Sequence, residues 1–273
     1  MPAKGQDSAV SDSPMKIVAL QYDIAWEDRA ANLATVRRLA AQAAPAAGSL
    51  LLLPEMAFTG FSMKVDRVAD TAARESEAAM AGLAREYQSW VVGGLVRRAA
   101  DGRGTNDAVV FTPAGKVAGS YTKMHPYRHG GEDRCYAPGS EVLVVPCGPH
   151  QVAPLVCYDL RFPEIFRTAA RRGATLFAVI ANWLETRHEH WRLLLQARAV
   201  ENEAWVIGVN RCGRDPRHAY LGGSCLIDPT ARVIAETGSG EAVLVGDAAA
   251  ATVRTARESF PVLEDLRPDW TRA

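Results

Sequence analysis

Glu55, Lys123 and Cys157 each stand where a short apolar or strand-like run gives out, in LLLLPE, SYTK and APLVC. A thiol is a weak nucleophile near neutral pH until a base removes its proton or a nearby cation favours the thiolate. A carboxylate can be that base, and an ammonium can hold the charge that collects on oxygen when sulfur attacks a carbonyl. Together the three side chains are enough for covalent acyl chemistry without a histidine. Taken singly, each has a plainer reading, since free cysteine is commonly buried packing and a Glu or Lys at a strand end is commonly solvated.

Catalytic groups are favoured where a rigid strand gives way to a loop, so the elements around the three residues matter. MKIVALQYD reads as a buried strand. Residues 28 to 44 carry Leu33, Val36, Leu39 and Ala40 at helical spacing, closed by Pro45 and Gly48. SLLLLPE is the next strand, ending at Glu55, and a helix over roughly 72 to 88 leads into the strand SWVVGGLV. DGRGTND is a turn cluster, and DAVVFT and KVAGSYTK form a hairpin that delivers Lys123.

The second half repeats this order of elements. HQVAPLVCYD is a strand, PEIFRTAARRGA a helix with Pro at its start and Gly173 at its end, and TLFAVIANW a strand. A helix over HEHWRLLLQARAVENEA, the strand WVIGVN, a hairpin in GGSCLIDPTARVIAET and the strand EAVLVGD complete the chain. Alternating strands and helices with inserted hairpins predict an α/β or α+β layer fold of mixed sheets. No Pro/Gly/Ser-rich linker divides it, so residues 15–273 are expected to form one domain with a C-terminal extension, after a disordered tail over 1–14.

Composition narrows the function classes. Lys plus Arg and Asp plus Glu number 31 each in 273 residues, so no overall basic field favours nucleic acid or an anionic membrane. No window is long and apolar enough for a membrane helix, and the first residues lack the apolar core of a signal peptide. The five cysteines (135, 147, 157, 212 and 225) form no C-x-x-C pair or zinc-like spacing, which fits a reduced, cytoplasmic setting.

The segments PEMAFTGF (54 to 61), YTKMHPY (121 to 127) and LVCYDLRFPE (155 to 164), in that order, resemble the three signature blocks of the nitrilase superfamily of carbon-nitrogen hydrolases. ANW, ARAVEN and VNRCG match its later blocks, so the resemblance runs from about residue 15 to about 260. It implies a four-layer αββα sandwich that pairs into homodimers, acting without cofactor or metal on a small-molecule amide. Glu55 is then the base, Cys157 the nucleophile, and Lys123 with the backbone N–H of Tyr158 the oxyanion holder. The spacing of Glu132, Tyr136 and Gly139 resembles the E-x-x-x-Y-x-x-G pattern of the ω-amidase-like branch, which implies that Glu132 positions the substrate or the attacking water. One departure stands out: that branch usually reads K-x-H-L-F, and here Pro126 follows His125.

The expected substrate is a dicarboxylate monoamide of the 2-oxoglutaramate type. A deaminated-glutathione amidase, an N-carbamoyl hydrolase, a nitrilase and a catalytically relict scaffold are the alternatives. A free carboxylate calls for an Arg, whose planar fork matches it, and Arg128, Arg134, Arg161 and Arg187 are the candidates. Phe61 and Trp183 are expected pocket walls. Asp159 reads as structural, and Arg198 with Glu201 as a bracing ion pair. The histidines of HEH, at 188 and 190, point to different helix faces and bring no further ligands, which argues against a metal.

Overall fold

A computed structural model describes residues 13–267; the expected tail over 1–14 falls almost wholly outside them. Two six-stranded sheets form the centre, each built mainly from one half of the chain. In the first, β1 (Met15–Gln21), β2 (Leu50–Leu52) and β3 (Trp90–Arg98) run parallel. β4 (Gly104–Phe111) and β5 (Val117–Thr122) continue it antiparallel as a hairpin. The second sheet has an antiparallel edge, β6 (Val145–Cys147), then the parallel strands β7 (His150–Val156), β8 (Leu176–Ala181) and β9 (Trp205–Asn210).

A small separate hairpin, β10 (Cys212–Arg214) with β11 (Ala219–Leu221), follows. β12 (Cys225–Ile227) and β13 (Val233–Glu236) then extend the second sheet antiparallel beyond β9. The last strand, β14 (Ala242–Ala248), crosses back to pair antiparallel with β1. Each sheet therefore has one antiparallel edge strand, three parallel strands and two antiparallel ones. The repeat of element order predicted from sequence is a repeat of topology.

Alternation along the strands sets the layers. Val18, Leu20, Leu51 and Val91 pack with Val36, Leu39 and Ala40 of α1 (Arg29–Ala43), and with Met80 and Leu83 of α3 (Glu75–Glu86). Between these helices in the chain lies the single turn α2 (Val65–Val68). The intervening residues Ile17, Ala19, Leu50 and Leu52 turn the other way, into a core shared with β7, β8 and β9. That core reaches Phe166 of α5 (Pro163–Arg171) and Trp191 and Leu195 of α6 (His188–Asn202), giving the expected αββα order. The helices α4 (Glu132–Cys135) and α7 (Ala250–Ser259) complete the list of elements.

Two expectations need correction. The strand before Glu55 stops at Leu52, so Glu55 lies in the turn beyond it. More consequentially, β4 begins at Gly104, so Gly104, Thr105 and Asn106 belong to the strand that was expected to start at Asp107, rather than to the predicted turn cluster. Eight residue pairs with β3 hold this segment extended despite its turn-rich composition. The hairpin β10–β11 and α7 were not anticipated.

Candidate active site

The candidate residues converge at the C-terminal ends of strands from both sheets. Glu55 follows β2, Lys123 follows β5 and Cys157 follows β7.

The Glu55 turn lies flat on β3: Gly94 N–H donates to Pro54 and Gly94 C=O accepts from Ala57, at 3.0 and 2.9 Å. A Cβ on Gly94 would stand 2.3 Å from the Met56 nitrogen, so only glycine admits the turn this close. Met56 itself has φ 44°, in the left-handed region that non-glycine residues seldom enter.

Lys123 is fixed by its backbone on both sides, since its N–H donates to Asn106 O and its C=O accepts from Gly139 N–H, both at 2.9 Å. Beyond it, His125 N–H donates to Asp159 and Tyr127 N–H to Glu132. Pro126 sits between these two donors, so its missing N–H removes neither bond. Tyr136 is buried with its hydroxyl donating to Ser62 O at 2.6 Å. The E-x-x-x-Y-x-x-G spacing thus places Glu132 in the site, Tyr136 in the packing and Gly139 against the Lys123 backbone.

Cys157 has φ 50°, and the chain around it makes the sharp strand-to-helix turn expected of LVCYDLRFPE. The five residues Cys157–Arg161 form one tight 3₁₀ turn, and Pro163 opens α5. Such strain persists only where neighbours over-determine it. Asp159 accepts from Val156 N–H at 3.2 Å, from Tyr121 Oη at 2.8 Å and from His125. Arg198 donates from Nε and Nη2 to Leu160 O, at 3.1 and 2.9 Å, as well as pairing with Glu201 at 2.9 Å. Its bracing role therefore extends to the nucleophile turn.

Glu55, Lys123 and Glu132 are buried together. Lys123 Nζ donates to Glu55 Oε1 at 2.9 Å and to Glu132 Oε2 and Oε1 at 2.8 and 3.1 Å. The other Glu55 oxygen, Oε2, accepts from Asn182 N–H at 2.8 Å and Nδ2 at 3.2 Å. Asn106 Nδ2 donates to Glu55 Oε1 at 2.7 Å and to Glu132 Oε1 at 2.8 Å. Neither asparagine was singled out from sequence; Asn182 entered only as the middle residue of the block ANW.

These contacts set the ionisation of each group. Burial alone would raise Glu55, but Lys123, Asn106 and the Asn182 amide hold it below its ordinary value. Burial raises Glu132 and, with the Glu55 charge adding to it, leaves it above its ordinary value despite the attraction of Lys123. Burial opposes the Lys123 ammonium, yet Glu132, Glu55 and Cys157 raise it far above its usual range. Burial first, then the Glu55 charge, pushes the Cys157 thiol well up, against the opposing pull of Lys123. The resting site is a protonated thiol beside an ionised carboxylate and a firmly charged lysine, which is the starting state for base-assisted attack on a carbonyl.

A cavity of about 420 Å³ opens over Cys157. All four expected contact residues line it: Tyr158, Phe61, Trp183 and Arg161. Arg161 lies over the Trp183 ring, 4.9 Å from its centroid, and Lys123 Nζ lies 5.2 Å from that of Phe61. Of the four arginines proposed for a substrate carboxylate, Arg161 and Arg187 face this cavity and Arg128 and Arg134 do not. The β10–β11 hairpin supplies a wall that the sequence reading missed, with Tyr220 and Arg217 on the cavity. Asp215 holds that hairpin by accepting from the Tyr220 hydroxyl and from the Arg217 and His218 amides. Among the described residues no group of three His, Cys, Asp or Glu side chains gathers as a metal site.

Comparison with known proteins identifies the family. The family model described as carbon-nitrogen hydrolase matches residues 16–258. A 2-oxoglutaramate amidase of Bacillus subtilis (strain 168) is 30% identical over 254 residues, which is 93% of this chain and 98% of that protein. The crystal structure of a CN-hydrolase superfamily protein from Xanthomonas campestris, with an arsenic adduct in its active site, superposes with a TM-score of 0.87 at 31% identity, covering 93% of this chain and 97% of that one. A mutant amidase from Nesterenkonia sp. AN1 in complex with butyramide gives 0.83 at 28%, covering 96% and 97%. The chain belongs to the carbon-nitrogen hydrolase family, as a thiol-dependent amidohydrolase of its nitrilase and ω-amidase branch.

Proposed function

We propose that the protein is an ω-amidase that hydrolyses dicarboxylate monoamides of the 2-oxoglutaramate type. The observation that carries the substrate assignment is a pair of arginines, Arg161 and Arg187, on the wall of the Cys157 cavity. Arg161 donates only to His190 Nδ1, at 3.2 Å, and Arg187 stacks toward Tyr127, so among the described residues neither guanidinium is taken by a carboxylate. Two cations flanked by aromatic faces suit the far carboxylate of a short linear acid. The named activity of the Bacillus relative supports the same reading.

Catalysis then runs in two halves. Glu55 Oε2 takes the Cys157 proton as sulfur attacks the amide carbon; its contact with Asn182 Nδ2, at 3.2 Å, is the longest Glu55 makes and the one that yields. Lys123 Nζ and the Tyr158 N–H hold the oxyanion. Glu55 returns the proton to nitrogen, the C–N bond breaks, and ammonia leaves behind a Cys157 thioester. Water, deprotonated by Glu55 and positioned by Glu132, adds to the thioester carbon; the C–S bond breaks, Glu55 returns the proton to the Cys157 sulfur, and the dicarboxylic acid product departs.

The test is ammonia release from 2-oxoglutaramate set beside a neutral amide of equal length, ureido acids and nitriles, in wild-type and Arg161→Met enzyme. The dicarboxylate monoamide is expected to lead in kcat/KM by tenfold or more. Arg161→Met is expected to raise its KM at least tenfold while leaving the neutral amide nearly unchanged. Equal rates on neutral and charged amides, or preference for a nitrile, would refute the assignment.

A further inference from the structure

Four short contacts close into a ring in the site. Glu55 Oε1 and Glu132 Oε1 are the acceptors; Asn106 Nδ2 and Lys123 Nζ are the donors, each touching both oxygens at 2.7 to 3.1 Å. Both Asn106 amide hydrogens are therefore committed, one to each carboxylate. Its Oδ1 is buried and has no hydrogen-bond partner among the described residues, so the amide is oriented by the two bonds it donates. The backbone C=O of the same residue accepts the Lys123 N–H. Asn106 thus touches Glu55, Glu132 and the Lys123 backbone.

We infer that Asn106 is a positioning residue for proton transfer: a neutral double donor that holds Glu55 and Glu132 in register, so that neither needs a shared proton. This inference rests on the proposed roles of Glu55 and Lys123. Two carboxylates meeting at one point ordinarily hold a proton between them, which would occupy the base. Lys123 prevents that while it faces them both. When it turns toward an oxyanion its hold on the carboxylates weakens; the Asn182 donors then serve Glu55 alone and the Tyr127 N–H serves Glu132 alone, so Asn106 is the side chain that still bridges the two. A cation in its place would bind the carboxylates as well but would lower the basicity that Glu55 needs. Asn106 also belongs to the contacts that keep Glu55 below its ordinary pKa, which makes its loss visible in a pH profile.

The experiment compares wild type, Asn106→Asp, Asn106→Leu and Glu55→Gln, measured on 2-oxoglutaramate or on whichever amide the wild-type enzyme hydrolyses fastest. Asn106→Asp keeps the shape but can donate only when protonated. It is expected to lose at least 100-fold in kcat at pH 8 and to regain tenfold or more, relative to wild type, at pH 5.5. Asn106→Leu is expected to lose about as much at every pH, with KM within threefold and the acid limb of kcat/KM moved to higher pH. Should Asn106→Leu fail to fold, the acid recovery of the near-isosteric Asp variant decides alone. A folded Asp variant that is equally impaired at both pH values, or unimpaired at both, overturns the inference. An active Glu55→Gln instead overturns the catalytic reading beneath it, so the two failures are distinguishable.

Discussion

Asp159 Oδ1 accepts two hydrogen bonds from the same residue, His125: one from its backbone N–H at 3.0 Å and one from its ring Nδ1 at 2.9 Å. Asp159 stands two positions beyond Cys157 and His125 two beyond Lys123, so one buried carboxylate ties together the loops that carry these two candidate residues. The His125 ring is also stacked on Phe162 at 3.6 Å, which sets its plane. His125→Phe keeps the stacking and deletes the ring donor, leaving Asp159 short of one charge-assisted bond worth about 1.5–3 kcal/mol. Kinetic and thermal measurements are expected to show kcat lower by at least tenfold, KM within threefold and a Tm several degrees lower. His125→Asn, whose amide can reach the same carboxylate, is expected to restore most of the kcat. A His125→Phe enzyme with full kcat would remove the clasp from the catalytic argument.

The strand ends before Lys123 and Cys157 were legible because the runs in SYTK and APLVC stop directly on a reactive side chain, whereas in LLLLPE the strand gives out at Leu52 and a turn carries the chain on to Glu55. The repeat of topology followed from element order, since βα alternation leaves few arrangements for the parallel strands. Asn106 was not legible. It lies in DGRGTND, where Gly, Asn and Asp at close spacing predict a turn, and pairing with β3 overrides that preference. Asn182 was hidden for a different reason: what it does depends on Glu55, from the other sheet, which no local pattern reveals. The β10–β11 hairpin was missed because its two strands are three residues each and are knotted by Asp215 rather than by an apolar stripe.

Gly94→Ala separates the geometry of the Glu55 turn from its chemistry. The new methyl would meet Met56 N at 2.3 Å and Glu55 Cα at 2.6 Å, both backbone atoms that no rotamer change can move. Over-packing of this kind costs about 1–3 kcal/mol. Denaturant unfolding is expected to show that loss, together with a kcat lower by about 100-fold, because Glu55 shifts relative to Lys123. The equivalent change at Gly82, where a Cβ meets nothing within 4 Å, is expected to leave activity intact. Similar outcomes for the two variants would mean that the Glu55 turn tolerates displacement.

His150 makes the stability of the sandwich depend on pH. It is buried, its Nε2 3.0 Å from the Ala248 carbonyl at the end of β14, so it bridges the two sheets. Burial lowers its pKa below the ordinary 6.5, against the weaker opposing effect of the Ala248 carbonyl. The unfolded chain therefore takes up the proton first, and stability rises with pH across that interval. The contribution is complete above about 6.5, falls as pH drops below it, and levels off beneath the folded-state value. Urea unfolding of wild type and His150→Gln at pH 7.5, 6.5 and 5.5 is expected to show the stability advantage of wild type shrinking toward acid. An advantage constant with pH, or growing toward acid, would contradict the sign.

Cys157 alkylation tests whether the thiolate exists before substrate arrives. Burial first and the Glu55 and Glu132 charges next keep the thiol well above its ordinary pKa, with Lys123 and the Asn182 N–H pulling the other way. Only the thiolate attacks iodoacetamide, so the rate is expected to climb about tenfold per pH unit from 7 to 9 with no plateau. Glu55→Gln removes the nearer negative charge and leaves Lys123 less neutralised, which favours the thiolate. That variant is expected to be alkylated faster than wild type at pH 8 while hydrolysing amides at least 1,000-fold more slowly, with mass spectrometry locating the adduct on Cys157. The opposed effects follow from the proposed mechanism, in which one carboxylate does two things: its charge disfavours a resting thiolate, and its basicity generates one only as the carbonyl carbon comes within reach. A neutral-pH plateau would mean a preformed thiolate, and slower alkylation in Glu55→Gln would mean that Glu55 activates the thiol without substrate.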